Sequence, residues 1–486
     1  MSRRRKVLAG GALLLVVLGG ALFWPAGAPA SVASAGHRPF VWGQDALWER
    51  LEADFDRARD SGCDPAAVDA GLAALRERVA AIEEGSVAPD DPRLAALEDT
   101  LFSVAPEVGA CPARLEAFAA RVARLRAAVK ARSERWPMTD RAARDRLYRL
   151  LYGSRAALEE LMLQAPAAHV PALTHAPSPV PSATPSVELH GVTLHSGDIL
   201  ASRGGAPTSA FISRGNDYPG NFSHIALLHV AEDGTPTVLE SHIESGVGTS
   251  TAERYLEDTK LRIMVLRLRP DHPALADDPL LPHRAATAAL EAARAGHVPY
   301  DFAMDYENPA TQFCSEVAYA AYRAEGVELW RSLSSMSGEG LARWLAAFGV
   351  THFETLAPSD LEYDPQVRVV AEWRDPETLF SDHVDNAILD AMLEGAEAGD
   401  PIEHDAARLP LARVAKAYSA TLNLFGAVGP IPEGMSAVTA LRVEWLRRRH
   451  GAIRERLEAR VHAYREAHGR RPPYWTLVRM AREARR

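Results

Sequence analysis

Apolar residues between positions 40 and 165 recur at helical spacing. Val68, Leu72, Leu75, Val79 and Ile82 step by four, three, four and three, and Leu115, Phe118, Val122, Leu125 and Val129 by three, four, three and four. Such stripes belong to amphipathic helices whose remaining faces carry Arg and Glu. Asp64 is a good N-cap with Pro65 in the first helical position. Residues 40–165 therefore predict a small helical bundle. The pattern breaks at 166–189, where six prolines from Pro166 to Pro185 sit among Ala, Ser and Thr, the composition of a semi-rigid extended linker. From 190 to 375 the pattern is mixed. Short strands are predicted at 197–200, 222–230, 237–241, 261–268 and 367–373, and helices over 283–296 and from Phe313 or Cys314 to just before Gly326. Residues 376–486 return to helix, and the Arg-rich stretch 442–471 is interleaved with Glu444, Glu455, Glu458 and Glu466, a solvated face. The fold class is thus α+β, with a mixed domain flanked by N-terminal and C-terminal helical regions.

At 486 residues, 47% hydrophobic and 24% charged, the chain is too long for one small core. A net charge of −10 argues against a nucleic-acid binder held by phosphate neutralisation. Residues 1–36 change the picture more. Arg3, Arg4, Arg5 and Lys6 precede an uncharged run from Val7 to Trp24, and small residues spaced as Ala28/Ala30 or Ala33/Ala35 follow. That is the layout of a signal peptide, with an uncleaved N-terminal membrane anchor as the close alternative. Either way the remainder is expected outside the cytoplasm, in the periplasm or cell envelope. In an oxidising compartment Cys63 and Cys111 are expected to pair, closing a loop of about fifty residues for roughly 3–4 kcal/mol. Two separate buried thiols are the alternative.

The third cysteine follows the breakers Asn308 and Pro309 and precedes helix-forming residues. Cys314 is thus expected at a helix N-terminus, where the dipole and unpaired amides favour a thiolate. Most lone cysteines are merely small buried hydrophobes. A nucleophile also needs a base, and His224 lies in an apolar strand where an imidazole is costly without a partner. Glu240 sits on the next strand, where it can face His224. His242 shares its face and is either the orienting group or a substrate contact. Singly each residue reads as structural; the combination reads as a site.

Gly197-Asp198-Ile199-Leu200, Ser223-His224-Ile225, Glu240, Tyr300-Asp301 and Cys314-Ser315-Glu316-Val317 occur in that order. In this the chain resembles the permuted papain-like amidases of the YiiX/YaeF type, circularly permuted relatives of the NlpC cell-wall hydrolases. Pro358-Ser359-Asp360-Leu361 is similar to that family's closing segment. The resemblance covers roughly residues 190–375. It implies a permuted papain-like (NlpC-type) domain with Cys314 as nucleophile, His224 as base and Glu240 as orienting group. Both helical flanks and the stretch 269–282 lie outside it, so substrate choice is not inherited.

No HExxH, G-x-S-x-G or P-loop pattern is present, so no metal site and no cofactor is expected. Asp198 reads as a turn cap, and Tyr300 and Asp301 as residues at the cleft or, equally, supports of the fold, with Tyr300 and His242 the candidates for substrate binding. The expected activity is a cysteine hydrolase or amidase, with acyl transfer as an option. Its partner would be a cell-wall peptide or a lipid-like acyl substrate. A non-catalytic module that binds envelope peptide or lipid is the alternative.

Overall fold

The computed structural model describes residues 22, 24, 33–40 and 44–486. The expected export or anchor segment, residues 1–36, lies almost wholly outside the described residues. Helices α1 (Gln44–Ser61), α2 (Pro65–Glu83), α3 (Pro92–Ala110), α4 (Leu115–Ser133) and α5 (Arg141–Gln164) form the N-terminal bundle. Both expected stripes are buried in it. Asp64 caps α2 by accepting from the Ala66 and Ala67 amides. Cys63, just before α2, is disulfide-bonded to Cys111 at the end of α3, 48 residues away. Closing a loop of that length stabilises by about 4 kcal/mol in the chain-entropy model.

The central unit is a seven-stranded antiparallel sheet in the order β1-β11-β8-β4-β5-β6-β7. Its strands are β1 (Leu173–His175), β4 (Ile199–Gly204), β5 (His224–Val230), β6 (Pro236–His242), β7 (Gly246–Thr251), β8 (Lys260–Leu268) and β11 (Val367–Arg374). The pairs β2 (Ser186–Leu189) with β3 (Val192–His195), and β9 (Ser334–Ser335) with β10 (Glu354–Thr355), lie apart from it. Alternation along the strands gives two apolar faces. Ile225, Leu227, Met264 and Leu266 pack on α9 (Leu281–Ala295) and α10 (Cys314–Ala324). Ala226, Leu228, Val238 and Val265 pack instead with Val192, Leu194 and Tyr255. The short helices α6 (Pro207–Arg214), α7 (Ala252–Glu257) and α8 (Pro273–Asp277) fill connections. Gly197 turns into β4 at φ +93°, and a Cβ there would lie 2.4 Å from Pro282 of α9, which is why glycine stands in that motif. Asp198 does more than cap the turn: beside accepting from the His195 amide it forms a buried ion pair with Arg267.

Residues 166–189 do not run free between separate bodies. They are largely extended, but Leu173–His175 pairs with β11 as an edge strand, and the Val180 carbonyl accepts from Arg267. Three residues are too few to register as a strand amid prolines. The flanks are likewise packed on the sheet. Tyr218, Tyr363 and Leu379 join the core of the N-terminal bundle. Helices α11 (Glu339–Phe348), α12 (Pro376–Glu397), α14 (Ala437–His468) and α15 (Tyr474–Arg485) share another core with Phe211 of α6. Helix α13 (Leu409–Asn423) lies against α14 over a small cluster of Leu409, Ala412, Ala437 and Leu441.

Between flanks and sheet lies a buried ionic cluster. Arg155 of α5 meets Glu362 at 2.7 Å and Glu372 of β11 at 2.5 Å. Arg262 of β8 meets Glu159 of α5 and Asp382 of α12, both at 2.5 Å. Arg203 of β4 lies 3.1 Å from Asp382, and Arg374 of β11 lies 3.3 Å from Glu159. Four arginines thus face four carboxylates, and every member is buried. Removing one partner strands the others without water.

Asp382→Ala should therefore lower unfolding stability by roughly 3–5 kcal/mol, read as a fall in the urea midpoint. Asp382→Asn, which keeps a polar contact, should cost less. Non-reducing peptide mapping should recover a linked Cys63/Cys111 peptide with Cys314 alkylated; alkylation of all three without reductant would refute the pairing.

Candidate active site

The candidate residues converge at one end of the sheet. In the register of β5 and β6, Ala226 faces Glu240. His224, two residues before Ala226, therefore shares Glu240's face. The His224 Nε2 lies 2.7 Å from Glu240 Oε2. Glu240 is held on its other oxygen by the Ser250 hydroxyl of β7 at 3.2 Å and by His242 Nε2 at 3.1 Å. Cys314 is the first residue of α10, and its sulfur lies 3.9 Å from the Ser223 carbonyl. With Nε2 of His224 committed to the carboxylate, Nδ1 is the nitrogen left for the thiol.

The electrostatics match that order. Burial works against a charged His224, yet hydrogen bonds and charges from Cys314 and Glu240 lift its pKa to about 9. Burial likewise opposes a Cys314 thiolate, but the hydrogen bond and charge of His224 win. The Ile225 amide and Ser315 hydroxyl add to that, and the thiol falls below its ordinary value. Burial would raise Glu240 too; the two histidines hold it well below the usual carboxylate range. These shifts bias the pair toward thiolate and imidazolium, backed by a carboxylate. Cys314 is only 4% exposed, whereas the His242 side chain is 42% exposed, so solvent reaches the group from the His242 side.

Beside Ser250, three further supports escaped the sequence reading. Glu316 accepts from the Phe313 amide at 2.6 Å, capping α10. Burial, together with Asp301, Cys314 and Asp305, raises its pKa to about 9, so it is neutral at pH 7 and adds no negative charge beside the sulfur. Ser359 clamps Phe222: its Oγ accepts from that residue's amide at 2.9 Å and donates to its carbonyl at 2.8 Å, fixing the approach to His224. Tyr255 is buried beneath the site, where burial and then the charges of Glu240, Asp258 and Cys314 raise its phenol. Glu316 and Ser359 stand inside the quoted motifs but without a role; Tyr255 and Ser250 carry no local signal.

Tyr300 is close enough to Cys314 for the sulfur to add to burial in raising its phenol. Asp301 organises that loop by accepting from the amides of Ala303 at 2.7 Å and Asp305 at 2.5 Å. The loop is pressed to the β6–β7 turn. Gly246 has φ +72°, and a Cβ there would strike the Val298 carbonyl at 2.1 Å. His229 points elsewhere, stacked on His283 at 5.3 Å. No group of three or more His, Cys, Asp or Glu among the described residues is arranged to hold a metal ion. Cavities of about 590 and 600 Å³ exist, but neither is lined by Cys314 or His224. Size alone does not locate the chemistry, and the geometry of the polar groups outweighs it.

Residues 193–371 match the family model described as permuted papain-like amidase enzyme, YaeF/YiiX, C92 family. A solved structure, of the metalloprotein yiiX from Escherichia coli O157:H7, is 17% identical. The likeness covers 37% of this chain and 97% of that one, with a TM-score of 0.29. Comparison with curated proteins found no match.

The paired charges fix a pH response. Alkylation of Cys314 by a neutral electrophile should already be fast at pH 7, below the ordinary thiol pKa of about 8.5. Reactions that need the imidazolium as acid should decline above about pH 9, where His224 loses its proton. In His224→Ala only the weaker Ile225 and Ser315 hydrogen bonds still oppose burial, and alkylation at pH 7 should fall more than about tenfold. An unchanged rate–pH curve in that variant would remove the pairing.

Proposed function

We propose, from the premise that residues 193–371 form a permuted papain-like amidase domain of the YaeF/YiiX type, that this chain is a cysteine hydrolase of the cell envelope. A hydrolase or amidase is what the family match supports. The assignment of roles rests on one observation, the contact series from Cys314 through His224 to Glu240. The Cys314 thiolate attacks the carbonyl carbon of an amide, ester or thioester. The resulting oxyanion sits by the amides at the start of α10, where the helix dipole favours negative charge. As the tetrahedral carbon collapses, the bond to the leaving group breaks, and that group takes a proton from the His224 imidazolium. His224 then accepts a proton from water, whose oxygen attacks the thioester and releases the acid and the free thiolate. If an amine or alcohol takes the place of water, the same steps transfer the acyl group. Glu240 keeps the imidazole oriented and favours its charged form. His242, half exposed on the rim, and Tyr300 are proposed as substrate contacts.

The substrate we favour is an acylated molecule of the envelope, a wall peptide or a lipid-like acyl compound. Support for that compartment is the basic-then-apolar layout of the N-terminal residues and the disulfide between Cys63 and Cys111.

Single-turnover labelling with an acyl electrophile gives the test. Cys314→Ala and His224→Ala should each abolish acyl-enzyme formation. Glu240→Gln should slow it by about 10–100-fold, and His242→Ala should change binding more than the chemical step. Full labelling of His224→Ala would sink the assigned base. A Cys314 that never acylates would leave an envelope-binding module as the better reading. Product analysis after incubation with envelope extract identifies the substrate.

A further inference from the structure

A cavity of about 590 Å³ lies between the helical bundle and the edge of the sheet. Helices α4 and α5 form one wall, β1 and β11 another, and residues 176–180 of the proline-rich segment complete the lining. Neither Cys314 nor His224 lines it, so its role is separate from the proposed chemistry.

Helix α4 presents two rows to this space. Ala119, Ala123, Ala127 and Ala131 recur every four residues, a smooth strip about 18 Å long. Val122, Arg126 and Lys130 run beside it at the same spacing. Leu151 and Leu158 of α5 and Val369 of β11 add apolar surface. No side chain of the alanine strip can hydrogen-bond, so a ligand lying along it is apolar there.

The charge on the lining is not balanced. Six arginines and one lysine stand against three glutamates. Most of the arginines are neutralised: Arg124 meets Glu83, Arg126 and Arg155 meet Glu362, Arg368 meets Glu134, and Arg374 meets Glu159. Lys130 is not. It is 4% exposed, and its ammonium donates to the Glu362 carbonyl at 2.7 Å with no ion pair among the described residues. A lysine is almost never buried this far without a counter-ion. Burial and the charges of Arg368 and Arg126 press its pKa down to about 7, although Asp364 and Glu362 act the other way. Nε of the buried Arg374, on the same lining, is a donor without a hydrogen-bond partner. Oε2 of Glu362, also without one, is an acceptor that a water or a ligand hydroxyl can occupy.

We infer that this cavity binds an anionic amphiphile, a carboxylate or phosphate on an aliphatic chain, with the head at Lys130, Arg126 and Arg368 and the chain along the alanine strip. The anion supplies the counter-ion that Lys130 lacks, through charge-assisted hydrogen bonds. Covering the strip adds the apolar contribution. An inorganic anion leaves the strip wet, and a neutral lipid leaves Lys130 unpaired; only the combination answers both.

Titration calorimetry on the full-length chain tests this with dodecanoate, dodecyl phosphate, dodecanol and inorganic phosphate, each below its micelle concentration. One site per chain is expected for at least one of the two anionic amphiphiles, and the tighter of them separates a carboxylate source from a phosphate source. Dodecanol and inorganic phosphate should each bind at least about tenfold more weakly, since each lacks half of the match. Lys130→Met should weaken the amphiphile at least about tenfold. The same variant should leave the urea midpoint unchanged or higher, because it removes a buried charge that had no counter-ion. Ala127→Phe, which fills the slot, should block binding with the far-ultraviolet spectrum intact. No binding of either amphiphile, dodecanol or phosphate binding as tightly as they do, or an unchanged affinity in Lys130→Met overturns the proposal. A lowered midpoint in Lys130→Met also overturns it, since Lys130 would then be satisfied within the fold.

Discussion

Everything near the sulfur depends on arginines that are nowhere near it in sequence. The buried cluster of Arg155, Arg203, Arg262 and Arg374 with Glu159, Glu362, Glu372 and Asp382 joins α5, three strands of the sheet, the turn before β11 and α12. Charges taken out of water this completely are tolerated only when geometry and partners are good. The same cluster supports the strand that carries His224. The guanidinium groups of Arg155 and Arg262 lie 5.3 and 6.0 Å from the centre of the Phe222 ring. Phe222 is two residues before His224 and is held on both backbone groups by Ser359. The helical flanks thus act as the outer wall of the site's foundation, and damage to the cluster is felt by the imidazole.

Around the sulfur, charge is kept in strict alternation. The partners of His224 raise it to about 9 and the histidines lower Glu240, so each favours its charged form, while burial and acidic neighbours raise Glu316 to about 9 and favour its neutral form. Were Glu316 ionised, it would oppose the thiolate that its own position at the third residue of α10 helps to orient. A neutral carboxyl accepts the Phe313 amide bond without that conflict. His242 contacts the other oxygen of Glu240 on the opposite side while standing open to solvent.

What the residues reveal before folding is uneven, and the reason is range. The helical stripes, the Asp64 cap and the strand alternation are local, and the observed elements reproduce them within a few residues. Cys314, His224 and Glu240 stand out because each is chemically odd in its own segment: a thiol after helix breakers, and an imidazole and a carboxylate in apolar strands. Ser250, Ser359 and Tyr255 look ordinary where they stand, and only the sheet and the turn before β11 bring them to the site. Arg155 and Glu372 are 217 positions apart, and no periodicity links them. The two strands within 166–189 were hidden for the converse reason, since the three residues of β1 and the four of β2 take their conformation from β11 and β3.

The clamp between Ser359 and Phe222 spans 137 residues, and the pair of Arg262 with Asp382 spans 120. Contacts of such separation close long loops, at an entropic cost that the contact itself must repay. A chain emerging from a ribosome or threading through a membrane in order presents residue 314 well before residues 359 and 382. Until those arrive, the strand that carries His224 has its neighbours β4 and β6 but lacks the clamp on Phe222. The order of the sequence therefore delivers Cys314 and His224 to the folding chain ahead of the residues, Ser359 and Asp382, that buttress the segment before His224.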